Sequence, residues 1–519
     1  MKRIAIVGGG TSGLSAAITL EGARRNGAEL EYAVFEAAPC LGGVLVTERV
    51  DDCLVEAGPD SFLTEKSWGL DFVRSLGLGD QLIGSNDPDR ITYILVKGRL
   101  VPIPDGLMFM VPTKIAPIIA SPLFSWGAKL RFAREYFQKP NSVAPPLSRP
   151  EEPIPKRSEA ARQGGDIQDE TVAELVERHF GPEMVERLVD PLLAGVYGGA
   201  ATDLSAAAVL PRFVDMEKRY GSLSRGMLQA RKQRTAAGAP SAASAPPSLF
   251  TSLKGGMQQL VDTIVPQLAE GAARTLSKVV ALGRHGTGSE KWIVSPEQGS
   301  MEEFDAVILA LPANQAGRLL EKISAPLAQE LLQVPYSSSM VVVCGYDQRD
   351  LASAPPGFGF LVPRHEGRSI LACTFVHVKF PHRAPPGRGL VRCFIGGWGN
   401  EAVLDTPDDE VFAAVAKDLR DIVGITAAPR FVRLYRWRGA MAQYVRGHLA
   451  RVRRIEELRR GIPGLELAGN AYRGIGVPDC IASGISAASD LLVQFGLARA
   501  ELRVSSPPAR PLEADQPGA

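Results

Sequence analysis

Three glycines and one carboxylate near the start of the chain have the types and spacing to hold a dinucleotide. Gly8, Gly10 and Gly13 fit G-x-G-x-x-G within Gly8-Gly9-Gly10-Thr11-Ser12-Gly13, and Glu36 follows 23 residues after Gly13. In this pattern the first glycine allows a tight turn, the second admits a pyrophosphate to the backbone, and the third lets a helix pack on the preceding strand. The helix that opens at Thr11-Ser12 turns its N-terminus toward the anion. Glu36 is placed to accept hydrogen bonds from a ribose diol, and an acid there favours an adenosine ribose without a 2′-phosphate. These groups need a buried parallel strand before the turn, and the apolar run Ile4 to Val7 suits one. A second strand, Tyr32 to Phe35, would deliver Glu36. The order strand, turn, helix, strand points to a dinucleotide without separating NAD from FAD.

Two later stretches tilt the choice. Gly42-Gly43 follows Glu36 closely, and Glu56-Ala57-Gly58-Pro59-Asp60-Ser61-Phe62 comes next; flavoproteins of the amine-oxidase superfamily resemble this pattern, which implies FAD. Val279 sits in a short hydrophobic strand whose backbone would meet an adenine edge. Residues 465–492 read as a strand, a glycine-rich loop and a helix rich in Ala, Gly and Ser. The N-terminus of that helix, at Gly476, Val477 and Pro478, offers N–H groups and a positive dipole end to a reduced flavin. Cys480 reads as a small buried cysteine rather than a point of covalent flavin attachment.

Composition bounds the remaining possibilities. The 519 residues have room for two or three domains, and 45% apolar content suits a soluble globular protein. Lys plus Arg total 58 against 57 for Asp plus Glu, so no global field draws the chain to nucleic acid. The six cysteines lack C-x-x-C spacing, which argues against a disulfide framework and against a metal site. The nucleotide-binding strand begins near residue 3, which leaves no room for a signal segment and implies a cytoplasmic protein. No run approaches the length of a membrane span, but residues 100–126 are apolar and broken by proline, as the mouth of a hydrophobic cavity or a surface resting on a bilayer would be.

Along the chain, residues 139–168, 235–248 and 505–519 are rich in Pro, Ala, Ser and charge and read as flexible loops and tail. The expected class is α/β. A Rossmann-like FAD-binding domain is assembled from 1–85, 250–330 and 460–500; a mixed α+β substrate domain spans 331–459 with part of 86–105; a helical, membrane-facing subdomain comprises 86–138 and 169–232. In the substrate domain one set of strand residues would line a flat apolar pocket while the other packs the core.

The segments Gly8 to Gly13, Glu56 to Phe62, GFGFLVP at 357–363, FPHRAP at 380–385 and GNAYRGIGVPDCI at 469–481 together resemble the protoporphyrinogen oxidase and coproporphyrinogen III oxidase family of heme biosynthesis, over nearly the whole chain outside the first two loops. The resemblance implies one noncovalent FAD per chain and six-electron oxidation of a porphyrinogen, protoporphyrinogen IX or coproporphyrinogen III. Oxygen would be the acceptor and hydrogen peroxide a product. It also implies peripheral membrane contact and a ferrochelatase-type partner. Carried over by motif, Phe358, Gly359, Leu361 and, more loosely, Phe375 border the substrate, and Asn470 stands where relatives place an acid near the phosphate and ribityl groups. No catalytic histidine is expected; His448 reads as a structural hydrogen-bonding residue. One departure concerns the substrate: plant, animal and some bacterial members of the family carry an arginine that pairs with a propionate where this chain has Thr92, which cannot form a bidentate pair with a carboxylate. Arg90, Lys97, Arg99, Arg364 and Arg438 are the candidate replacements. Amine oxidases, carotenoid desaturases and a nonenzymatic flavin- or porphyrin-binding scaffold are the rival readings.

Overall fold

The computed structural model describes residues 1–138, 169–236, 248–284 and 291–497. The loops expected at 139–168 and 505–519, and nearly all of 235–248, lie outside the described residues. Strand β1 (Lys2–Val7) is central to a five-stranded parallel sheet in the order Ala273–Arg274, β2 (Leu30–Phe35), β1, Ala306–Leu309, Leu465–Leu467. Such a sheet is covered on both faces, so both parities of β1 are apolar. Ile4 and Ile6 pack under helix α1 (Thr11–Arg25) and the C-terminal helix Val477–Gln494. Ala5 and Val7 face the other way and join Phe35, Trp292 and Phe304, the last two from a three-stranded antiparallel sheet.

A seven-stranded sheet carries the second layer, in the order Phe431–Ala442, Tyr336–Asp347, Arg388–Gly396, Ala372–Phe375, Gly359–Leu361, Thr92–Val96, Arg99–Pro102. Its pairings are antiparallel apart from that of Gly359–Leu361 with Thr92–Val96. The two-residue period of a strand assigns its faces. Phe360, Cys373, Phe375 and Cys393 share the face that packs under helix Asp408–Val423. Thr92, Gly359, Thr374 and Arg392 lie in register on the opposite face, together with Ile94, Leu361 and Phe394. Phe375, which the motif resemblance set beside the substrate, lies on this helix-packed face, 1% exposed and edge-to-face with Phe360 at 6.3 Å.

Helices between Ile115 and Ala236 form a third unit around Phe124, Phe132, Phe180 and Leu188. Its helix Val172–Phe180 opens on a capping box: Thr171 Oγ1 accepts from Glu174 N–H at 3.2 Å, and the Glu174 carboxylate accepts from Thr171 N–H at 2.8 Å. Inside the unit His179 is bracketed by Glu135 and Glu217, each 3.1 Å from a ring nitrogen. Burial opposes a charge on His179, but the two carboxylates outweigh it and raise its pKa above the ordinary 6.5.

Two outcomes are expected. Phe375→Ala should cost about 3–5 kcal/mol of stability, measured by denaturant unfolding, as deletion of a fully buried aromatic does; a loss below about 1 kcal/mol would return Phe375 to the substrate side. A histidine whose folded pKa is raised stabilises the protein below its unfolded pKa and loses that contribution as pH rises through the folded value. Urea midpoints should accordingly fall on the alkaline side of pH 6.5 in the wild type and less so in His179→Gln, and parallel pH curves would refute the bracketed imidazolium.

Candidate functional site: a flavin cradle between the first and last helices

The turn after β1 is shaped by contacts that leave no room for side chains. Gly8 has φ +107°, and a Cβ there would stand 2.4 Å from the Ala310 carbonyl oxygen; one on Gly13 would stand 1.8 Å from the Gly8 carbonyl oxygen. Gly10 differs. A Cβ built on it would meet no protein atom closer than Gly43 Cα at 3.9 Å, so the space beside it is kept open rather than filled by the protein. The first-turn amides of α1, from Thr11 onward, have no acceptor within their own helix. Gly42 N–H donates to Gly9 O at 2.8 Å and Gly42 bridges Gly10, which fixes the Gly42-Gly43 loop against the turn. Gly58 is held equally close, since its Cβ would lie 2.0 Å from the Val44 carbonyl oxygen.

Glu36 stands at the end of β2, its carboxylate accepting from Gly9 N–H and Ala38 N–H, both at 2.7 Å. The acid is thus oriented by the turn, with lone pairs remaining for a diol. Ser277 N–H donates to the Glu36 carbonyl at 2.7 Å, which brings the strand that starts at Val279 beside the same acid.

The C-terminal segment closes the other side. Ser12 Oγ donates to the Cys480 carbonyl at 2.9 Å, and a Cβ on Gly484 would come within 2.0 Å of Ser12 O, so the two helix N-termini lie side by side. Two adjacent positive helix ends attract anions. Asp479 in the first turn accepts from Gly476 N–H at 3.1 Å and forms an ion pair with Lys66, which ties the chain after Ser61 to this helix. Gly69 packs on Pro478. Asn470 is placed by the seven-stranded sheet and the chain after it: its side-chain amide donates to Ala440 O at 2.9 Å and its backbone carbonyl accepts from Tyr444 Oη at 2.7 Å. Tyr444 also accepts from Gly474 N–H and stacks on His448, ring centroids 3.9 Å apart. His448 thereby serves the loop as a structural residue. Desolvation pushes the Cys480 thiol up to about 12, away from thiolate chemistry.

Between Gly58 and Ser61 the chain is backed by buried charge. Lys379 Nζ lies 3.0–3.1 Å from both Asp60 oxygens and from Ser61 Oγ, and Arg392 donates to the Gly58 carbonyl. Burial alone would raise the Asp60 pKa, but the Lys379 and Arg392 charges hold it well below the usual carboxylate range. Trp437 Nε1 donates to Ala57 O at 2.8 Å. Sequence reasoning assigned no role to Lys66, Lys379, Arg392, Trp437 or Tyr444; FPHRAP lies directly after Lys379, but nothing local says what a lysine in that stretch will meet.

On the open face of the large sheet, Thr92 and Gly359 are paired and Leu361 lies beneath helix Asp190–Tyr197, where a Cβ on Gly195 would stand 3.7 Å from Leu361 Cδ2. Phe358 is buried at the strand entrance, its backbone bonded to Ile91 and Phe375. Of the five candidate cations, Arg90 pairs with Asp87 and Arg438 with Asp405, while Lys97 and Arg99 are exposed on the turn after Val96. Arg364 is the one beside the open face, donating to Trp398 O at 2.9 Å and lying 3.5 Å from Asp190 at the start of the covering helix.

A parallel sheet with a glycine turn, a carboxylate at the end of its second strand and a last helix whose N-terminus meets that turn, joined to a large, mostly antiparallel sheet, is the architecture of a dinucleotide-binding oxidoreductase. The chain matches the model of the flavin containing amine oxidoreductases over residues 11–492 and belongs to that family. It is 31% identical over 493 residues to the coproporphyrinogen III oxidase of Bacillus subtilis (strain 168), covering 95% of this chain and 98% of the relative. It is 29% identical over 513 residues to the mitochondrial protoporphyrinogen oxidase of Nicotiana tabacum, covering 95% of each. A crystal structure from Exiguobacterium sp. 255-15, provisionally assigned as a protoporphyrinogen oxidase, superposes with a TM-score of 0.80 at 31% identity over 95% of this chain and 99% of that one. Putrescine oxidase shares the fold, with a TM-score of 0.63 at 16% identity over 95% of this chain and 99% of that one. The family's cofactor is a flavin, and the cradle fits one: the room beside Gly10, the unbonded amides of α1 and the oriented Glu36 together suit a flavin's dinucleotide portion.

Glu36→Ala should weaken affinity for the flavin roughly 10- to 100-fold, the equivalent of about 1.5–3 kcal/mol for a charge-assisted hydrogen bond. Fluorescence titration of the flavin-depleted protein checks this, and affinity within twofold of wild type would remove Glu36 from the cradle.

Proposed function

We propose that the chain is an FAD-dependent oxidase that converts a porphyrinogen, with coproporphyrinogen III favoured over protoporphyrinogen IX, to the porphyrin in heme biosynthesis. The observation that carries this reading is near-full-length similarity to coproporphyrinogen III oxidase of Bacillus subtilis at 31% identity, in a chain whose cradle residues stand together. Coproporphyrinogen III oxidases of Staphylococcus aureus and Propionibacterium freudenreichii are similar over comparable lengths. One noncovalent FAD per chain would lie along Gly8–Gly13, Glu36, Gly42–Gly43, Gly58–Ser61 and Val279, with Asn470 and Gly476–Pro478 at its other end. When bound, it supplies the two-electron acceptor.

The chain's own contribution is orientation. Loss of hydride from a methylene bridge asks for a positioned, dry ring more than for a proton donor. Gly359 and Leu361 lie on the sheet face that helix Asp190–Tyr197 covers, and we assign substrate contact to that face. Tyr197 at the end of that helix meets Tyr444, ring centroids 6.4 Å apart, so the covering helix abuts the residue that holds the 470–474 loop. Arg364, 3.5 Å from Asp190 at the start of that helix, is the candidate cation we assign to a substrate carboxylate in the absence of a guanidinium at Thr92. A tetracarboxylate ring would use such a peripheral cation more fully than a dicarboxylate one. We assign oxygen as acceptor and the cytoplasm as location. The exposed side chains of Ile115, Trp126, Leu130 and Phe137 support peripheral contact with a membrane, and a ferrochelatase-type partner would take up the product. No helix among the described residues is long and apolar enough to cross a membrane.

The test is aerobic porphyrin fluorescence with FAD-loaded protein, each porphyrinogen offered separately and autoxidation subtracted. Coproporphyrinogen III should be oxidised with kcat/KM roughly tenfold or more above that for protoporphyrinogen IX, about 1.4 kcal/mol of discrimination. The reverse preference would move the enzyme to the protoporphyrin route, and no rate above background with either would remove the porphyrinogen reading.

A further inference from the structure

Five charged side chains meet in the interior behind Gly58–Ser61: Glu56, Asp60, Lys379, Arg383 and Arg392. Arg383 and Arg392 are 1% and 4% exposed, and Glu56 and Lys379 are also buried. Two pairs account for four of the five. Lys379 directs its donors at both Asp60 oxygens and Ser61 Oγ, the geometry of an ammonium on a carboxylate. Arg383 Nη2 stands 2.9 Å from Glu56 Oε1 and donates to Ser252 Oγ at 2.6 Å, while Glu56 also accepts from Met257 N–H at 2.9 Å and Thr47 Oγ1 at 2.7 Å.

Arg392 is left over. Its nearest carboxylate is Asp60 at 3.7 Å, already taken by Lys379; one of its nitrogens donates to the Gly58 carbonyl, its guanidinium lies over the Phe394 ring at 4.7 Å, and its Nε has no hydrogen-bond partner. Among the described residues the other carboxylate that acts on it is Glu56, itself paired with Arg383. His382, beside Arg383, is held down to about 4 by burial and by the charges of Arg383 and Lys254. A buried cation without a full counter-charge is unfavourable, and removal from water makes its field reach further than at the surface. Something that binds here must gain from that field.

The Gly58–Ser61 loop that Arg392 touches is part of the cradle proposed above for the flavin. Gly58 is pressed on Val44, and Val44 follows the Gly42-Gly43 loop that bridges Gly10. We infer that Arg392 is a positioning residue that acts through the Gly58–Ser61 loop, its surplus charge favouring the two-electron-reduced flavin, which is the more negative state, over the oxidised one. Charge near a flavin is one of the levers by which a protein sets its potential. The inference rests on the flavin part of the proposed function and not on the identity of the substrate.

The test is the midpoint potential of the flavin-loaded protein, read by slow enzymatic reduction against a reference dye. Arg392→Gln keeps a donor for the Gly58 carbonyl and leaves two neutral pairs; Arg392→Lys keeps the charge. The Gln variant should shift the reduction equilibrium at least tenfold toward oxidised flavin, about 30 mV for a two-electron couple, while the Lys variant stays within threefold of wild type. If Arg392→Gln retains no flavin, Lys379→Met reaches the same net charge by removing the other cation and is measured in its place. A neutral variant with an unshifted potential, or equal shifts for Gln and Lys, overturns the inference. Wild-type protein that takes up no flavin overturns the cofactor reading beneath it as well, which separates the two failures.

Discussion

The approach of the last helix to the first is the constraint on which the rest of the molecule depends. Ser12 and Cys480 are joined by a hydrogen bond across 468 residues of sequence, and Gly484 lets the two backbones nearly touch. Two helix N-termini placed side by side present like partial charges, an arrangement that proteins keep where an anion is to be bound. Everything else positions or insulates that point. Lys66 neutralises Asp479 so that the last helix keeps its positive end, Tyr444 pins the loop that feeds it, and β1 holds the glycine turn between two fully covered sheet faces.

The second theme is charge in the interior. Glu56 ends strand Cys53–Glu56, Asp60 follows it, Lys379 and Arg383 lie in the connection after Ala372–Phe375 and Arg392 in Arg388–Gly396, so the network also ties the chain at 53–60 to the large sheet. Breaking one partner of such a network is costly because the other is stranded in low dielectric. The helical unit repeats the device with His179, Glu135, Glu217 and Arg178, again joining helices distant in sequence.

What could be read in the sequence follows from how local each signal is. The apolar run of β1, the glycine turn and Glu36 form a continuous strand–turn–helix–strand pattern. The face that Phe375 takes was not legible because alternation along a strand says that two faces exist without saying which one meets a helix; register with Val391 and burial against Phe360 decide it. Arg392 and Lys379 were silent for a different reason. Their partners lie more than three hundred residues away, and a lysine or arginine in a strand or short helix reads by default as surface charge. Glu36 was legible as an acid at the right distance, but its clamp by Gly9 and Ala38 amides is a property of the folded turn alone.

The parallel sheet also carries a consequence for synthesis. Its strands come from both ends of the chain: β1 and β2 near the start, Ala306–Leu309 from the middle, Leu465–Leu467 near residue 466. Until that last strand emerges, Ala306–Leu309 presents an open edge of four fully buried-type apolar residues, and edges of that kind pair with other chains. Non-local pairing of this sort is slow to form and exposes sticky surface meanwhile. A chain released before Leu465 is made would thus carry the glycine turn but neither the closing strand nor the last helix beside it, a species marked for aggregation or proteolysis rather than a weakened enzyme.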